Sequence, residues 1–242
     1  MAHFYILESL ESASVGSEVV LDGSEGKHAA TVSRVRPGEK FTLGNGRGLV
    51  LTVEAETVSK DCVQLRVLHV EHKERLQPKI ILVQALAKTD RDERAIEAAT
   101  ELGVDTVIPW SASRSISKWD GPKIEKGIAR WSAIVREASK QSIRAFIPQV
   151  HPPVTSNELA QVLSGADIVV LDPTGDVPLS SFNPTSHQIA IIVGPEGGIT
   201  ETELDTFRNA GATIVTMGNN ILRTSTAGPA ALAIMNAKLG RC

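Results

Sequence analysis

Three short segments concentrate the residues whose types could do chemistry. They read LDPTG at 171–175, GPEGGIT at 194–200 and MGNNILRT at 217–224, and each follows an apolar run typical of a buried strand. Glycine lets the backbone approach a ligand closely or adopt positive φ, and GPEGG holds three glycines in five residues. Because ligands bind beyond the carboxyl ends of the strands in parallel sheets, the three segments predict a small-molecule site. The alternative for GPEGG is a tight turn between a strand and a helix.

Arg223 is the charged side chain best placed to act in this site. It precedes the last predicted helix, where the helix dipole disfavours a cation, so a role facing a ligand is favoured over a surface ion pair. No Ser-His-Asp arrangement is evident, and the six histidines show no metal-ligand spacing, so no metal is expected. The glycine segment has neither the GK[ST] of a P-loop nor a GxGxxG fingerprint. The expected site therefore works mainly through backbone groups and one or two charges.

The overall composition is typical of a globular protein of a reducing cytoplasm. The 242 residues are 42% apolar and contain no run long enough to predict a membrane span. The first fourteen residues carry Glu8 and Glu11 and do not read as a signal peptide. Cys62 and Cys242 belong to no CxxC pair, so neither a disulfide framework nor a zinc site is expected. Aromatic residues make up 4%, which argues against a nucleic-acid platform built mainly on stacked rings.

The net charge of −3 conceals one basic stretch. Residues 111–144 hold eight basic and three acidic side chains, whereas the rest of the chain is net acidic. Two interpretations stay open, a solvated basic helix or a face that contacts nucleic-acid phosphates. Arg136, Lys140 and Arg144 recur every four residues and are predicted to share one helix face, which Arg130 does not share with Arg136.

The elements that would position these residues fall into two groups. The first seventy-odd residues are rich in β-branched residues with alternating patterns, which predicts a small antiparallel barrel. Its predicted strands cover 3–7, 40–43, 49–58 and 62–70. A charged segment that ends in Pro78 is the predicted linker to the second group.

Beyond this linker, strands and helices alternate, which predicts a mostly parallel α/β sheet. The predicted strands cover 80–86, 104–110, 147–150, 167–172, 188–193 and 212–217. One helix is expected to begin near Pro122, another to cover 156–164, and the last to run from about 225 to 238. Two more are predicted to begin at capping boxes, formed by Thr89 with Asp92 and by Thr200 with Glu203.

Four segments resemble the ribosomal RNA small-subunit methyltransferase E family, within the SPOUT class of knotted methyltransferases. They read ATELGVDTVIPW at 99–110, RWSAIVREASKQSIR at 130–144, IIVGPEGGIT at 191–200 and MGNNILRTSTA at 217–227. The resemblance spans nearly the whole chain. Its most specific feature is the pairing of GPEGG with ILRT about two dozen residues later.

The resemblance implies a fold, a cofactor and a reaction. Residues 1–74 would form a PUA-like β-barrel that helps to bind RNA, and residues 75–242 an α/β trefoil-knot (SPOUT) domain with a mostly parallel sheet. S-adenosyl-L-methionine would bind between the knot loops of a homodimer. The reaction would be methylation of N3 of one uridine, the family target uridine 1498, in 16S ribosomal RNA that is either naked or part of the assembled small subunit.

Site residues carried over by motif form three groups. Those expected to contact the cofactor or shape its site are Leu171, Gly194, Glu196, Gly197, Met217, Gly218, Ile221 and Leu222. The alternative for Leu171, Ile221 and Leu222 is plain core. Arg223 is expected to stabilise charge on a uracil oxygen and so ease loss of the N3 proton. RNA contacts are expected from Lys88, Arg91, Arg114, Arg130, Arg136, Lys140 and Arg144, with Lys118, Lys123 and Lys126 in the same basic stretch.

The chain departs from the family pattern in its last loop. Where the family reads LGPRILRTETA, this chain has Asn219, Asn220 and Ser225, and Gly228 lies early in the helix. Roles of the replaced arginine and glutamate therefore do not transfer. Three other functions stay open: a knotted methyltransferase acting on transfer RNA, an RNA-binding or ribosome-assembly protein without catalysis, and a nucleotide-binding α/β enzyme outside this class.

Overall fold

The computed structural model describes residues 4–241, and the chain forms two compact units. The first unit contains the described residues up to Arg75 together with Ser139–Ile147, and the second contains the remainder. The elements of the first unit are β1 (Phe4–Ile6), β2 (Glu18–Leu21), α1 (Gly23–Lys27), β3 (Lys40–Gly44), β4 (Leu49–Val58) and β5 (Val63–His72).

The first unit is built on a five-stranded sheet in the order β1-β3-β4-β5-β2. Its neighbouring strands are antiparallel, except for β1 and β3, which are parallel. Side chains of β4 alternate between buried and half-buried positions, so one face of the sheet forms the core of this unit. The segment Ser139–Ile147 joins through the backbone, since the Gly48 N–H donates to the Ala145 carbonyl and the Ile147 N–H to the Gly46 carbonyl.

The second unit is an α/β fold on a seven-stranded sheet. Its elements are β6 (Lys79–Ala85), α2 (Arg91–Glu101), β7 (Thr106–Trp110), α3 (Pro122–Gln141), β8 (Gln149–Val150), α4 (Ser156–Val162), β9 (Asp167–Leu171), β10 (Val177–Pro178), β11 (Gln188–Val193), α5 (Glu201–Asn209), β12 (Thr213–Thr216) and α6 (Thr224–Lys238). The strand order is β10-β12-β9-β11-β6-β7-β8, and every neighbouring pair is parallel. The predicted α/β class with a mostly parallel sheet is therefore confirmed.

The centre of this sheet is buried on both faces. All residues of β11 after Gln188 are buried, as a continuous apolar run predicts for a strand covered by helices. Helix α6 packs very closely on one face, where a Cβ atom at Gly228 would lie 3.0 Å from Leu82 Cδ1 and 3.5 Å from Val193 Cγ2. This close approach of α6 to β6 and β11 explains the glycine near the start of the helix.

One predicted helix start is wrong. Helix α2 begins at Arg91, and no capping box forms at Thr89, whose φ of 67° is in the left-handed region. In that conformation the Thr89 hydroxyl donates to the Lys88 carbonyl, while the Asp92 carboxylate accepts the Ala87 N–H. The local pattern was correct for a cap, but a backbone turn overrides it.

The predicted helix face of three cations is also wrong in part. Helix α3 begins at Pro122 as predicted but ends at Gln141, so Arg144 lies beyond the helix and cannot continue the face of Arg136 and Lys140. By contrast, the capping box of Thr200 is confirmed at the start of α5.

Four further sequence-based expectations concern the first strand, the two cysteines, membrane spans and metal sites. The strand predicted over 3–7 is observed as β1, and His3 lies outside the described residues. Cys62 is a free thiol, and Cys242 also lies outside the described residues. Across residues 4–241, no helix combines the length and the apolar character that crossing a membrane requires. The same residues contain no cluster of three or more His, Cys, Asp or Glu that could hold a metal ion.

Candidate functional site

The three loops predicted to form a site meet because the strands that precede them are neighbours. Strands β12, β9 and β11 lie side by side and parallel, so their carboxyl ends share one edge of the sheet. Between the loops lie two cavities of about 520 and 600 Å³, sizes typical of small-molecule sites. Both cavities are lined by Leu171, Asp172, Pro173, Ile221, Leu222 and Ala227, so they form one continuous depression.

All eight residues predicted to contact or shape the cofactor site line this depression. The first cavity adds Met217 and Gly218, and the second adds Gly194, Glu196 and Gly197 to the three apolar residues that both share. Arg223 also lines the second cavity. The structure thus brings the predicted residues together, while their contacts with a cofactor stay a prediction.

Exposure separates the two interpretations of the three apolar residues. Ile221 is 82% exposed and is therefore not a core residue. Leu171 and Leu222 are half-buried at the cavity wall. Exposed apolar surface in a concave wall is what an apolar ligand ring would cover.

Glu196 holds the second loop, residues 194–200, in place. Its Oε1 accepts the backbone N–H of Lys88 at 3.1 Å and the guanidinium of Arg91 at 2.9 Å. Both partners lie at the junction between β6 and α2, so the carboxylate ties this junction to the loop. Arg91, predicted to contact RNA, instead has its charge paired at the wall of the second cavity.

Glu203 braces the same loop from its other end. It completes the capping box with Thr200, and its Oε1 also accepts the Ser113 N–H at 2.8 Å. Burial alone would raise the pKa of Glu203, but these hydrogen bonds outweigh burial and hold the pKa below its usual range. Next to Ser113, the Arg114 guanidinium donates to the Gly197 carbonyl at 3.0 Å. The connection between β7 and α3 therefore supports the loop at two points.

Thr224 ties the third loop, residues 217–224, into the sheet. Its hydroxyl donates to the Gly194 carbonyl at 2.9 Å and accepts from the Gln84 side-chain amide at 2.9 Å. Gln84 and Thr224 are both buried, whereas Arg223, the N-cap residue of α6, is exposed. Neither Gln84 nor Thr224 was among the predicted site residues. The available signal was a lone amide inside a buried apolar strand, a group that requires hydrogen-bond partners.

Asp172 is a third site residue that the sequence did not single out. It is 9% exposed, lines both cavities, and its Oδ1 accepts the Thr174 N–H at 2.9 Å and the Thr174 hydroxyl at 2.6 Å. The turn at 171–175 was visible in the sequence, but its neighbours across the sheet decide which side chain lines the cavity. Asp172 gives the wall a negative charge, which suits a cationic ligand group.

The cations predicted to contact RNA lie in unlike surroundings. Four of them form ion pairs with carboxylates: Arg91 with Glu196, Arg130 with Glu93, Arg136 with Glu137, and Lys140 with Glu25. The Lys140 side chain is 14% exposed and its ion pair with Glu25 lies within the first unit, so its charge is poorly placed for RNA. Lys88 and Arg114 are exposed, and Arg144 is half-buried in the first unit.

Known proteins resemble the chain along almost its whole length. The family model for an RNA methyltransferase domain matches residues 74–236, and the one for an RNA methyltransferase PUA domain matches residues 21–68. The chain is 39% identical over 232 residues to Ribosomal RNA small subunit methyltransferase E of Mycobacterium bovis, covering 93% of this chain and 88% of that protein. The protein of the same name from Bacillus subtilis is 29% identical over 246 residues, with 98% and 96% covered. The crystal structure of that methyltransferase from Neisseria gonorrhoeae, bound to S-adenosyl methionine, has 32% identity, a TM-score of 0.88, and 98% of each chain covered.

Proposed function

Because this chain belongs to the ribosomal RNA small subunit methyltransferase E family, we propose that it transfers a methyl group from S-adenosyl-L-methionine to N3 of one uridine in 16S ribosomal RNA. Uridine 1498 is the proposed target. The observation that carries the proposal is the convergence of three strand-end loops on one depression, with Arg223 at its wall. The cofactor-bound neighbour supports the cofactor, and the family supports the reaction class.

The depression fits this cofactor in size, polarity and charge. Apolar side chains of Leu171, Ile221 and Leu222 suit an adenine ring, and backbone groups of the three loops can serve its polar atoms. The Asp172 carboxylate favours a sulfonium cation. When bound, the cofactor supplies an electrophilic methyl group. The loops align the acceptor nitrogen with that methyl group, which accounts for most of what a displacement reaction needs.

Arg223 is the residue we assign to activation of the acceptor. N3 of uridine carries a proton at neutral pH, and a guanidinium near O2 or O4 stabilises the negative charge that develops when this proton leaves. The Arg223 side chain is exposed at the second cavity. It occupies the N-cap position of α6, whose dipole adds positive potential at the same point.

The substitution Arg223→Ala tests this role. We expect turnover to fall by about 100-fold or more, as for loss of one charge-stabilising group, with affinity for S-adenosylhomocysteine nearly unchanged. The matched control is Arg208→Ala, which removes an arginine paired with Asp205 on α5 and should leave both quantities as in the wild type. Equal losses of turnover and cofactor affinity would contradict the assignment.

The proposal extends to the architecture and to the location of the protein. It includes a PUA-like domain over residues 1–74, a trefoil knot within residues 75–242, a homodimer and a cytoplasmic site of action. The match of the PUA domain to residues 21–68 supports the first of these, and a ribosomal RNA substrate supports the last. Exposed Lys88 and Arg114, next to the second loop, are the proposed RNA contacts nearest the cofactor.

One observation favours a second candidate, an RNA-binding protein without catalysis. Asn219 and Asn220 line the first cavity, where the family pattern has proline and arginine. Asparagine in place of that arginine removes a cation that relatives of this pattern would have beside the cofactor.

Mass spectrometry of small-subunit ribosomal RNA and of transfer RNA decides between the candidates. RNA from cells with and without this gene is compared, and purified protein with S-adenosylmethionine is then added back. Loss and recovery of one 3-methyluridine supports the enzyme. An unchanged pattern in ribosomal RNA, with cofactor binding intact, supports the binding protein, and a change confined to transfer RNA supports the related methyltransferase.

A further inference from the structure

A second pocket in the same unit lies between the start of α2 and the start of α3. It encloses about 280 Å³ and is lined by Thr89, Asp92, Lys118, Trp119, Lys126 and Trp131 among others. Trp131 is 1% exposed and packs edge-on against the half-buried Trp119, with ring centroids 5.1 Å apart. This feature, called here the Trp119 pocket, is no part of the cofactor depression.

The indole of Trp119 packs closely against helix α3 at Gly127. A Cβ atom at Gly127 would lie 2.5 Å from the indole atoms Cδ2 and Cε2, so only glycine admits the ring at this distance. Glycine inside a helix costs about 1 kcal/mol relative to alanine, and here the close-packed indole accounts for its presence. The ring is therefore held in one position while it lines the pocket.

The charge of the pocket is positive. Its lining includes four cations and two carboxylates, and one of these, Glu93, pairs with Arg130 at 2.5 Å. The other, Asp92, accepts backbone N–H groups with both of its oxygens. Lys123 pairs with Asp120 at 3.0 Å. Within residues 4–241, Lys118 and Lys126 form no ion pair and are exposed, so these two cations remain for an anion, opposed by the single carboxylate of Asp92.

One short loop separates the Trp119 pocket from the cofactor depression. Ala87, Thr89 and Asp92 line the pocket, while Arg91 lines the second cavity. The backbone N–H of Lys88, within the same loop, donates to Glu196 of the cofactor wall. A polynucleotide that presents one base to the cofactor could therefore place a neighbouring nucleotide in the pocket.

We infer that the Trp119 pocket binds a nucleotide that flanks the methylated uridine, with its base against the Trp119 indole and its phosphate at Lys118 and Lys126. The inference rests on the proposed function, since it assumes a single-stranded RNA substrate. Bases of single strands stack on aromatic side chains, and lysines neutralise the backbone. One indole with two free lysines supplies both interactions.

Binding of a uridine decanucleotide to the full chain tests the inference. Trp119→Leu should weaken binding about tenfold, as loss of one stacking partner does. Lys118→Ala/Lys126→Ala should also weaken binding, and the slope of log affinity against log salt should fall by roughly 1. The control Arg94→Ala/Arg208→Ala removes two cations that do not line the pocket and should retain wild-type affinity.

A spectroscopic measurement tests the assignment without relying on a destabilised variant. Trp110 and Trp131 are 0% and 1% exposed, so quenching of fluorescence by the decanucleotide should come from Trp119. The variant Trp119→Phe keeps a ring, so it should bind RNA nearly as the wild type does but lose this quenching.

The outcomes separate this inference from the proposed function. If the wild type methylates ribosomal RNA while the pocket variants bind and methylate equally well, the pocket assignment is wrong and the enzyme stands. If the wild type methylates nothing, decanucleotide binding still tests the pocket by itself. A change in the sedimentation mass of Trp119→Leu, with RNA affinity unchanged, would make the pocket a contact between subunits and overturn the inference.

Discussion

Replacement of Thr224 by valine should show that one buried hydroxyl joins the cofactor loops to the sheet. The hydroxyl has one proton, which goes to the Gly194 carbonyl, so the Gln84 amide must donate to the hydroxyl oxygen. Three chain segments, the end of β6, the second loop and the start of α6, therefore meet in one chain of two hydrogen bonds. Thr224→Val keeps the shape of the side chain and removes both bonds.

The expected loss of unfolding free energy follows from the burial of the groups that bond to the Thr224 hydroxyl. Each hydrogen bond contributes about 1 kcal/mol net, and a buried donor left without its acceptor costs about 1–3 kcal/mol. Gln84 is 0% exposed, so water cannot replace Thr224 there, whereas the amide retains a bond to the Ala85 carbonyl at 3.2 Å. The free energy of unfolding should therefore fall by about 3 kcal/mol. For a chain of this length the melting temperature should fall by roughly 6–12 °C.

Urea unfolding followed by circular dichroism measures this loss, with Thr224→Ser as the control that keeps the hydroxyl. The double variant Gln84→Met/Thr224→Val replaces both polar partners by apolar groups. Its loss of stability should be smaller than the sum of the two single losses by about 1 kcal/mol or more. A loss below about 0.5 kcal/mol for Thr224→Val, or strict additivity in the double variant, would refute the reasoning.

Three further predictions concern the supports of each unit. Burial raises the pKa of Asp92 from 3.8 to about 6, so the stability that its protonated form gives below pH 3.8 is lost as pH rises through 6. The free energy of unfolding of the wild type, relative to Asp92→Asn, should therefore drop by roughly 2 kcal/mol between pH 4 and 7 in urea titrations, and parallel pH profiles would exclude this. Lys140→Met should cost about 3 kcal/mol in unfolding experiments because it leaves the Glu25 carboxylate buried without this cation, and partial recovery in Lys140→Met/Glu25→Gln would identify the charge as the cause. Thr200→Val should lower stability by about 1 kcal/mol through loss of the α5 cap, whereas Thr200→Ser should not, as thermal unfolding can show.

Elements with strong local signals were predicted well from the sequence. The strand over 188–193 and the helix beginning at Pro122 agree with the structure, because continuous apolar runs and a first-turn proline are local properties. Strand β2 was missed, since its four residues are defined by antiparallel pairing with distant β5. The false cap at Thr89 failed for the same reason, because a tertiary turn outweighed a local pattern.

In the candidate site, too, features with local signals were predicted and features that depend on distant residues were missed. Glycine-rich loops after buried strands indicated where a ligand would bind, but the adjacency of β12, β9 and β11 is a non-local fact that no spacing contains. The polar residues that hold those loops were therefore missed. Gln84 acts through Thr224, which is far away in sequence. Asp172 matters because of the side of its turn that faces the cavity. Motif matching reveals neither relation.

Charge along the sequence is a poor measure of charge available to RNA. Residues 111–144 hold eight basic side chains, yet Arg130 and Arg136 pair with carboxylates of the same unit, and Lys140 is buried against Glu25. An ion-paired cation must give up its partner before it contacts a phosphate, so it contributes less to binding than its formal charge suggests. Lys118 and Lys126 form no ion pair within residues 4–241, so neither has to give up a carboxylate partner before it contacts a phosphate. The strongest site for the RNA backbone should accordingly lie at Lys118 and Lys126 of the Trp119 pocket, which form no ion pair within residues 4–241, and not at Arg136 and Lys140, whose charges are paired.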